Sequence, residues 1–238
     1  MTMSGSAAPD VATRLAELRQ RIARAAARAA RSPEEITIVA VTKTFPAERV
    51  REGWEAGLRD FGENRVQEAA GKIPAVGVKA TWHLVGHLQT NKARQAVALF
   101  DWIQSLDSER VAREVSRHAA EAGRTIPVLI EVNTSGEETK FGASLADAAS
   151  LASLIPGLPG LELRGFMTVG PLTEEAAAMR AAFRSLRTLA EAERARLGRP
   201  DALPVLSMGM TDDLEIAIEE GSTLIRVGRA LFGERPEG

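Results

Sequence analysis

The chain has 238 residues, of which 45% are hydrophobic and 26% charged, with a formal net charge of −2. This composition is typical of a globular protein with one large core, and so small a net charge gives no overall attraction to nucleic acid or to an anionic membrane. Because the chain has no cysteine, disulfides, thiolate catalysis and cysteine-bound metals are excluded. Residues 1–9 lack the apolar core of a signal peptide, and no stretch is long and apolar enough to span a bilayer. We therefore expect a cytoplasmic protein that begins with a short disordered segment over residues 1–9.

Helix-like and strand-like segments alternate along the rest of the chain. A first helix is predicted over about residues 10–30, with Leu15, Leu18 and Ile22 on its apolar face. Strands are predicted at Ile36–Val41, Asp60–Gly62, Trp82–Val85, Trp102–Ser105, Val128–Val132, Leu163–Val169, Val205–Ser207 and Thr223–Val227. Between them, helices are predicted at Ala47–Ala56, Arg65–Lys72, Gln89–Ala98, Ser108–Ala122, Leu145–Leu154, Glu174–Arg196 and Thr211–Glu219. Residues 234–238 are predicted to fray.

Eight strands separated by helices predict a parallel α/β fold. Such units most simply close into a single (β/α)8 TIM barrel, here over residues 10–233 with an extra N-terminal helix, and a doubly wound open sheet is the alternative. In a barrel, the carboxyl ends of all eight strands converge on one mouth. The polar residues that follow the predicted strands therefore define the candidate site.

A lysine stands at the carboxyl end of the first predicted strand. Lys43 follows the apolar run Ile36–Val41, and Thr44–Glu48 opens the next helix. Apolar walls remove water from an ammonium group and favour its neutral, nucleophilic form, so Lys43 is a candidate for forming a Schiff base. The alternative is a lysine that reaches solvent where the strand ends.

The loops after the seventh and eighth predicted strands have the composition of a phosphate site. In the first of them, Ser207 offers a hydroxyl and is followed by Met208 and Gly209; in the second, Gly228 precedes Arg229. Barrels frequently bind phosphate with the backbone N–H groups of these two loops, and glycine lets the backbone approach the anion closely. Each glycine by itself also suits an ordinary turn.

One cofactor would span these two sites. Closure of the barrel brings the first strand beside the eighth, so that Lys43 faces the predicted phosphate loops. Pyridoxal 5′-phosphate (PLP) requires both a lysine amine for its aldehyde and a site for its phosphate. Arg226, on the eighth strand, is placed to donate to the ring nitrogen. A guanidinium there disfavours protonation of that nitrogen and weakens the ring as an electron sink. The alternative for Arg226 is a salt-bridged structural residue.

Five segments of the chain resemble the pyridoxal phosphate homeostasis proteins (YggS/PROSC type), in matching order between about residues 10 and 233. The resemblance implies a barrel like the N-terminal domain of alanine racemase without the second domain, an internal aldimine on Lys43 and a cofactor phosphate held by Ser207 with the glycine loops. It also implies Arg226 near the pyridine nitrogen and Asn64 near the ring. The segments are Ala40–Thr44, Phe61–Glu68, Trp82–Lys92, Leu206–Thr211 and Ile225–Gly228.

The same resemblance implies a protein that binds, buffers and delivers PLP without turning over a substrate, with PLP-dependent apo-enzymes as possible recipients. The chain departs from the family pattern at Arg229, where a small hydroxyl residue is common; the backbone N–H at that position remains available. No exposed apolar stripe stands out, which favours a monomer. A PLP-dependent racemase and a cofactor-free barrel enzyme acting on a phosphorylated metabolite remain alternatives.

The absence of tyrosine argues against the racemase. Racemisation needs an acid or base on each face of the substrate, and alanine racemase uses a lysine and a tyrosine.

His83 and His87 have no acidic third ligand at a suitable spacing, so no metal site is predicted, and His83 is expected to be structural. Lys140 is a hypothetical second aldehyde-reactive amine or a solvated loop lysine. The six arginines of the first helix are spread around it without aromatic residues, which indicates a solvated face and not a nucleic-acid site.

Overall fold

Eight parallel strands form a closed barrel in the order of the chain. The computed structural model describes residues 10–137 and 140–234. Each strand pairs with its neighbours in sequence, and the first pairs with the last, so the sheet has no open edge. The strands are β1 Thr37–Val41, β2 Asp60–Glu63, β3 Thr81–Leu84, β4 Trp102–Leu106, β5 Ile126–Glu131, β6 Leu161–Met167, β7 Val205–Ser207 and β8 Leu224–Val227.

Helices cover the outside of the barrel. They are α1 Val11–Arg28, α2 Ala47–Glu55, α3 Val66–Val76, α4 Ala93–Leu99, α5 Glu109–Glu121, α6 Leu145–Leu154, α7 Ala176–Leu197, α8 Leu214–Glu219 and α9 Arg229–Phe232. Single 3-10 turns lie at Pro33–Glu35, Thr90–Lys92 and Ile155–Gly157. The predicted TIM barrel with an extra N-terminal helix is thus confirmed, and the open sheet is wrong. The predictions for residues 1–9 and 235–238 fall outside the described residues.

The extra helix α1 packs on the end of the chain. It contacts α8 and α9, and its buried face includes the predicted Leu15, Leu18 and Ile22. Arg21 fixes its position, since the guanidinium donates to both carboxylate oxygens of Glu215 and to the carbonyl oxygen of Thr211. The N-terminal helix therefore supports the loop that follows β7.

Most helix boundaries agree with the predicted ones to within a few residues. Ser108 and Ser144 cap α5 and α6, each accepting a backbone N–H three residues on. The predicted helix from Thr211 instead begins at Leu214, because residues 211–213 form a turn in which Asp213 accepts the N–H of Met210. The short helix α9 was not predicted at all. Both differences lie in the two loops that were predicted to bind phosphate.

Candidate functional site

A cavity of about 630 Å³ opens at the mouth of the barrel, beside the carboxyl ends of β1 and β8. It brings together five of the eight predicted cofactor-binding residues, Lys43, Asn64, Arg226, Gly228 and Arg229. The rest of the lining is Val41, Phe45, Val85, Val169, Met210, Thr211, Asp212, Gly233 and Glu234. A concave site with apolar walls and a few convergent polar groups is typical of small-molecule binding.

Lys43 lies in a tight turn between β1 and α2, and a buried cation holds that turn in place. Thr44 adopts a positive φ of 69°, and its N–H donates to Glu68 Oε1 at 2.7 Å. Lys72, on α3, is 9% exposed and donates from Nζ to the Thr42 carbonyl and to Glu68, each at 2.7 Å. Neighbouring α3 thus fixes the backbone on both sides of Lys43.

Glu63 completes this support from the end of β2. Its carboxylate is fully buried and accepts from Lys72 Nζ at 2.7 Å and from Thr42 Oγ1 at 2.6 Å. Burial raises the pKa of Glu63, and the contacts with Lys72 and Thr42 oppose that rise. The role of the Glu63–Lys72 pair was not predicted, because the two residues are joined only when α3 folds back on β2.

Arg226 lies inside the barrel with its guanidinium at the floor of the cavity. It is 5% exposed; Nη1 donates to the carbonyl and the hydroxyl of Ser207, and Nη2 donates to the carbonyl of Thr168, all at 2.7 Å. Desolvation lowers the pKa of Arg226 to about 10, so the side chain is still a cation at neutral pH. Three of the five N–H donors of a guanidinium are used in this way, and two remain.

Two buried carboxylates balance the charge of Arg226. Glu131, the last residue of β5, is 7% exposed, and burial raises its pKa to about 7 against the opposing attraction of Arg226. Asp213 is 6% exposed; burial also raises its pKa, while the N–H of Met210 and the charge of Arg226 lower it. Neither carboxylate was identified from the sequence, because nothing in the local pattern indicates that they lie near Arg226.

Asn64 and Gly86 form a close contact between the loops after β2 and β3. A Cβ on Gly86 would lie 2.4 Å from the carbonyl oxygen of Asn64, so only glycine allows the two backbones to approach. The side-chain oxygen Oδ1 of Asn64 is buried and has no hydrogen-bond partner among the described residues. Because a buried polar atom normally has a partner and Asn64 lines the cavity, Oδ1 is a candidate for contact with a ligand.

The loop after β7 lies deeper than predicted at its first residues. Ser207 and Met208 are fully buried, and Gly209, with φ of 98°, packs where a Cβ would be 2.6 Å from that of Ala217. These three residues do not line the cavity; Met210 and Thr211 do. Ser207 is nevertheless connected to the cavity through its bond to Arg226. Direct contact of Ser207, Met208 and Gly209 with a cofactor stays a prediction.

In the loop after β8, the arginine side chain is paired with a carboxylate that also lines the cavity. Arg229 is paired with the carboxylate of Asp212 through Nη2, and this hydrogen bond raises its pKa. Thr211 Oγ1 accepts the N–H of Ala230 at 3.3 Å and so joins the two loops. Within the described part of the chain, no hydrogen bond uses the backbone N–H of Thr211 or of Arg229. Thr211 and Arg229 both line the cavity.

The histidines and Lys140 lie away from this cavity. His83 is 2% exposed inside the barrel, whereas His87 pairs with Asp107 at 3.1 Å and stacks on Phe141. Lys140 donates to Glu137 Oε1 at 2.7 Å and to the Gly170 carbonyl at 3.0 Å, and it lines a second cavity of about 670 Å³ with His87.

No group of three metal-ligating side chains occurs among residues 10–137 and 140–234. No helix in those ranges is long and apolar enough to cross a membrane.

The fold and the lysine at the tip of β1 define the class of the protein. Residues 13–236 match the family model described as "Alanine racemase, N-terminal domain". The alanine racemase of Clostridium difficile 630 superposes with a TM-score of 0.76 at 14% identity, over 96% of this chain and 57% of the racemase chain. At that identity the likeness concerns the fold alone. The chain is therefore a barrel of the alanine racemase N-terminal type.

More similar relatives identify the particular family. Proteins named "Pyridoxal phosphate homeostasis protein" are 42% identical in Pseudomonas aeruginosa, over 96% of this chain and 97% of theirs, and 41% identical in Escherichia coli K12, over 95% and 97%. PipY of Synechococcus elongatus, solved with PLP bound, is 39% identical with a TM-score of 0.82, over 94% of this chain and all of PipY. The chain belongs to the pyridoxal phosphate homeostasis protein family.

Proposed function

We propose that this protein binds PLP through Lys43 and acts in PLP homeostasis by holding and delivering the cofactor. The observation that carries the proposal is the convergence of Lys43 and Arg226, from the adjacent strands β1 and β8, on one cavity. The names of the relatives and the PLP-bound structure of PipY support the same function.

The residues present fit the cofactor. Asn64 Oδ1 is buried without a partner among the described residues, and Arg226 retains two N–H donors beside the cavity. The backbone N–H groups of Thr211 and Arg229 suit a phosphate, since two such donors on glycine-flanked loops form an anion site. Lys43 supplies the primary amine.

Each of these residues has a defined role in the proposal. When bound, the cofactor supplies an aldehyde that reacts with a primary amine and a ring that withdraws electrons. Lys43 Nζ is the amine to which it attaches, and the rigid turn held by Lys72 fixes the position of that atom. Arg226 would donate to the ring nitrogen, and because a guanidinium cannot accept a hydrogen bond, it would disfavour protonation of that nitrogen. Asn64 contacts the ring, and the loops of Gly209 and Gly228 hold the phosphate with Ser207 and Met208 behind them.

We propose binding and release without turnover of a substrate. Arg226 weakens electron withdrawal by the ring, and the chain has no tyrosine to serve as a second base. Two carboxylates of the described residues line the cavity, and both lie against Arg229: Asp212 pairs with its Nη2, and Glu234 Oε1 is 3.9 Å from its Nε. Delivery to PLP-dependent apo-enzymes, a monomeric state and a cytoplasmic location belong to the same proposal.

Absorbance spectroscopy tests the function directly. Purified protein reconstituted with PLP should be yellow, and borohydride followed by peptide mass spectrometry should find a pyridoxyl group on Lys43. Lys43→Ala should lose both signals, whereas the control Lys79→Ala, an exposed lysine after α3, should keep them. A wild-type protein that stays colourless with excess PLP would overturn the proposal and favour a cofactor-free enzyme.

A separate assay decides between a carrier and a racemase. Loaded protein at high concentration should not interconvert the alanine enantiomers above the rate of free PLP. Release is measured by mixing the loaded protein with a PLP-dependent apo-enzyme and following the activity that the apo-enzyme regains. Sustained racemisation of alanine without transfer of PLP to the apo-enzyme would contradict the carrier function and support the racemase.

A further inference from the structure

A row of buried polar side chains crosses the interior of the barrel and ends on Arg226. His83 Nε2 lies 3.0 Å from Asp60 Oδ1, and His83 Nδ1 lies 2.9 Å from Gln104 Nε2. Gln104 Oε1 accepts from Ser207 Oγ at 2.6 Å, and Ser207 Oγ accepts from Arg226 Nη1 at 2.7 Å. Four hydrogen bonds thus connect β2, β3, β4, β7 and β8 in one chain, which we call the barrel relay.

The direction of every hydrogen bond in the barrel relay follows from Arg226. A guanidinium can only donate, so Ser207 Oγ accepts from it and gives its own proton to Gln104 Oε1. The amide nitrogen of Gln104 then faces His83 Nδ1, which must accept. His83 therefore carries its proton on Nε2 and donates to the carboxylate of Asp60. With this assignment each hydrogen-bond donor along the relay faces an acceptor.

Such a relay is costly unless it has a use beyond filling the barrel. Gln104 and Ser207 are fully buried and His83 is 2% exposed, in a place where barrels normally stack apolar side chains. Each of these groups would destabilise the fold if it lost its partner, because a buried polar group without a hydrogen bond is unfavourable. The far end, Asp60, is 28% exposed and lines a cavity of about 490 Å³ at the opposite end of the barrel. The relay therefore joins the floor of the candidate site to the other face of the molecule.

The bonds to Ser207 and Thr168 decide which N–H groups of Arg226 face the cavity. Nη1 is held by the carbonyl and the hydroxyl of Ser207, and Nη2 by the carbonyl of Thr168. The hydroxyl is a reliable acceptor for Arg226 only while its own proton is engaged by Gln104 Oε1. If Gln104 Oε1 is removed, the Ser207 hydroxyl can rotate, and the guanidinium of Arg226 loses one of its three fixed contacts.

We propose that Gln104, supported from behind by His83, is a positioning residue for Arg226 and sets the strength and geometry of its hydrogen bond to the cofactor ring. Neither residue lines the cavity, so the effect passes through Ser207. The inference rests on the proposed function, because the ring is that of PLP. It extends the site to residues on β3 and β4, on the far side of the barrel interior.

Gln104→Met tests the proposal, since methionine has a similar volume and no amide. The matched control is Ser105→Ala, on the same strand and equally buried, whose hydroxyl has no partner among the described residues. Titration of cofactor-free protein with PLP should give a dissociation constant roughly tenfold higher for Gln104→Met, which corresponds to about 1.4 kcal/mol. The absorbance maximum of bound PLP should also move, because it reports the hydrogen bond on the ring nitrogen. Ser105→Ala should change neither quantity.

A second measurement does not use the cofactor. In cofactor-free protein, NMR should show that the guanidinium protons of Arg226 exchange severalfold faster with solvent in Gln104→Met than in wild type. Faster exchange in a protein that binds no PLP at all would uphold the relay and overturn the proposed function. Wild-type affinity, absorbance and exchange in a folded Gln104→Met protein would overturn the relay.

A pair of variants at His83 covers the case in which Gln104→Met does not fold. His83→Asn keeps an acceptor for the Gln104 amide, whereas His83→Leu removes it. The relay predicts near wild-type PLP affinity and absorbance for His83→Asn and a weaker, shifted complex for His83→Leu. Equal behaviour of the two variants would show that His83 acts only by filling space, and would contradict the proposal.

Discussion

At the scale of single residues, the candidate site depends on charges that are buried together. Arg226 brings a positive charge inside the barrel, and Glu131 and Asp213 stabilise it from β5 and from the loop before α8. The balance is incomplete, because the side-chain atom Glu131 Oε2 is buried without a hydrogen-bond partner among the described residues. Burial therefore disfavours the ionised form of Glu131 more in the folded protein than in the unfolded chain.

The stability of the fold should consequently depend on the ionisation of Glu131. A carboxyl group whose pKa rises from 4.5 to about 7 on folding binds its proton more tightly in the folded state. The free energy of unfolding contributed by this group is therefore lost as the pH rises from about 4.5 through about 7. The glutamine of Glu131→Gln does not titrate. The free energy of unfolding of this variant should therefore rise relative to that of wild type by about 3 kcal/mol across that interval, at about 1.4 kcal/mol per pH unit. Urea unfolding at several pH values measures the difference.

The control for this experiment is Glu162→Gln. Glu162 lies on the solvent side of the neighbouring strand β6 and pairs with Arg164 at 2.8 Å. This variant removes one exposed carboxylate and so accounts for the change in net charge. A pH dependence no larger for Glu131→Gln than for Glu162→Gln would show that burial does not shift the ionisation of Glu131.

At the scale of elements, α3 and the loops on either side of it hold the site in shape. Lys72 ties the turn after β1 to the end of β2, and Gly86 lets the loop after β3 lie against the backbone of Asn64. Both contacts join segments that follow neighbouring strands, so the mouth of the barrel is assembled by pairs of adjacent βα units.

Lys72→Met should be strongly destabilising. It leaves the fully buried carboxylate of Glu63 without its cation, and breaking a buried ion pair in this way typically costs about 3–5 kcal/mol. The double variant Lys72→Met, Glu63→Gln should recover part of that loss, because no buried charge is then left. Chemical unfolding of the two variants beside the exposed control Lys79→Met measures the coupling. If the double variant is no more stable than Lys72→Met, the pair does not act through charge.

Gly86→Ala should disturb Asn64 specifically. The added Cβ would meet backbone atoms of Asn64 at 2.4–2.9 Å, which cannot be relieved by rotating a side chain. We expect a loss of about 1–3 kcal/mol in unfolding free energy and weaker PLP binding. Gly71→Ala is the control, because a Cβ there meets nothing within 4 Å and alanine favours the helix by roughly 0.5–1 kcal/mol. Equal thermal stability of the two variants would contradict the close contact.

At the scale of the whole molecule, closure of the barrel and the docking of α1 unite the two ends of the described chain. Strand β1 pairs with β8, and α1 packs on α8 and α9. Because Arg21 on α1 donates to the carbonyl of Thr211, the N-terminal helix is connected to a loop that lines the cavity. Helix and barrel should therefore unfold as one cooperative unit.

Leu18→Ala tests that cooperativity. Leu18 is 1% exposed, and removing a buried leucine side chain typically costs about 2–5 kcal/mol. If helix and barrel unfold together, circular dichroism and the fluorescence of the barrel tryptophans should show a single transition at the same lowered temperature. The exposed control Arg24→Ala should change stability by less than about 0.5 kcal/mol. Two separate transitions would show that α1 is an independent element.

The order of the elements and the positions of the residues at the strand ends could be predicted from the sequence. Alternating apolar runs and helical patterns follow from side-chain periodicity, which is local, and eight such units predict a closed barrel. The same reasoning identified Lys43 and Arg226 as residues at strand ends, and the structure places both in one cavity. These predictions succeeded because strand direction alone determines which end of a parallel barrel forms the mouth.

The contacts across the barrel could not be predicted in the same way. Gln104 reads as an ordinary strand residue and Glu131 as the end of an apolar run, and only the closed sheet brings them toward Ser207 and Arg226. The order of the elements and the identity of the residues at the strand ends were thus determined by the sequence, since both depend on neighbours along the chain. Burial, charge balance and the hydrogen bonds that orient Arg226 were decided by the tertiary structure, since they depend on residues that closure of the barrel places opposite one another.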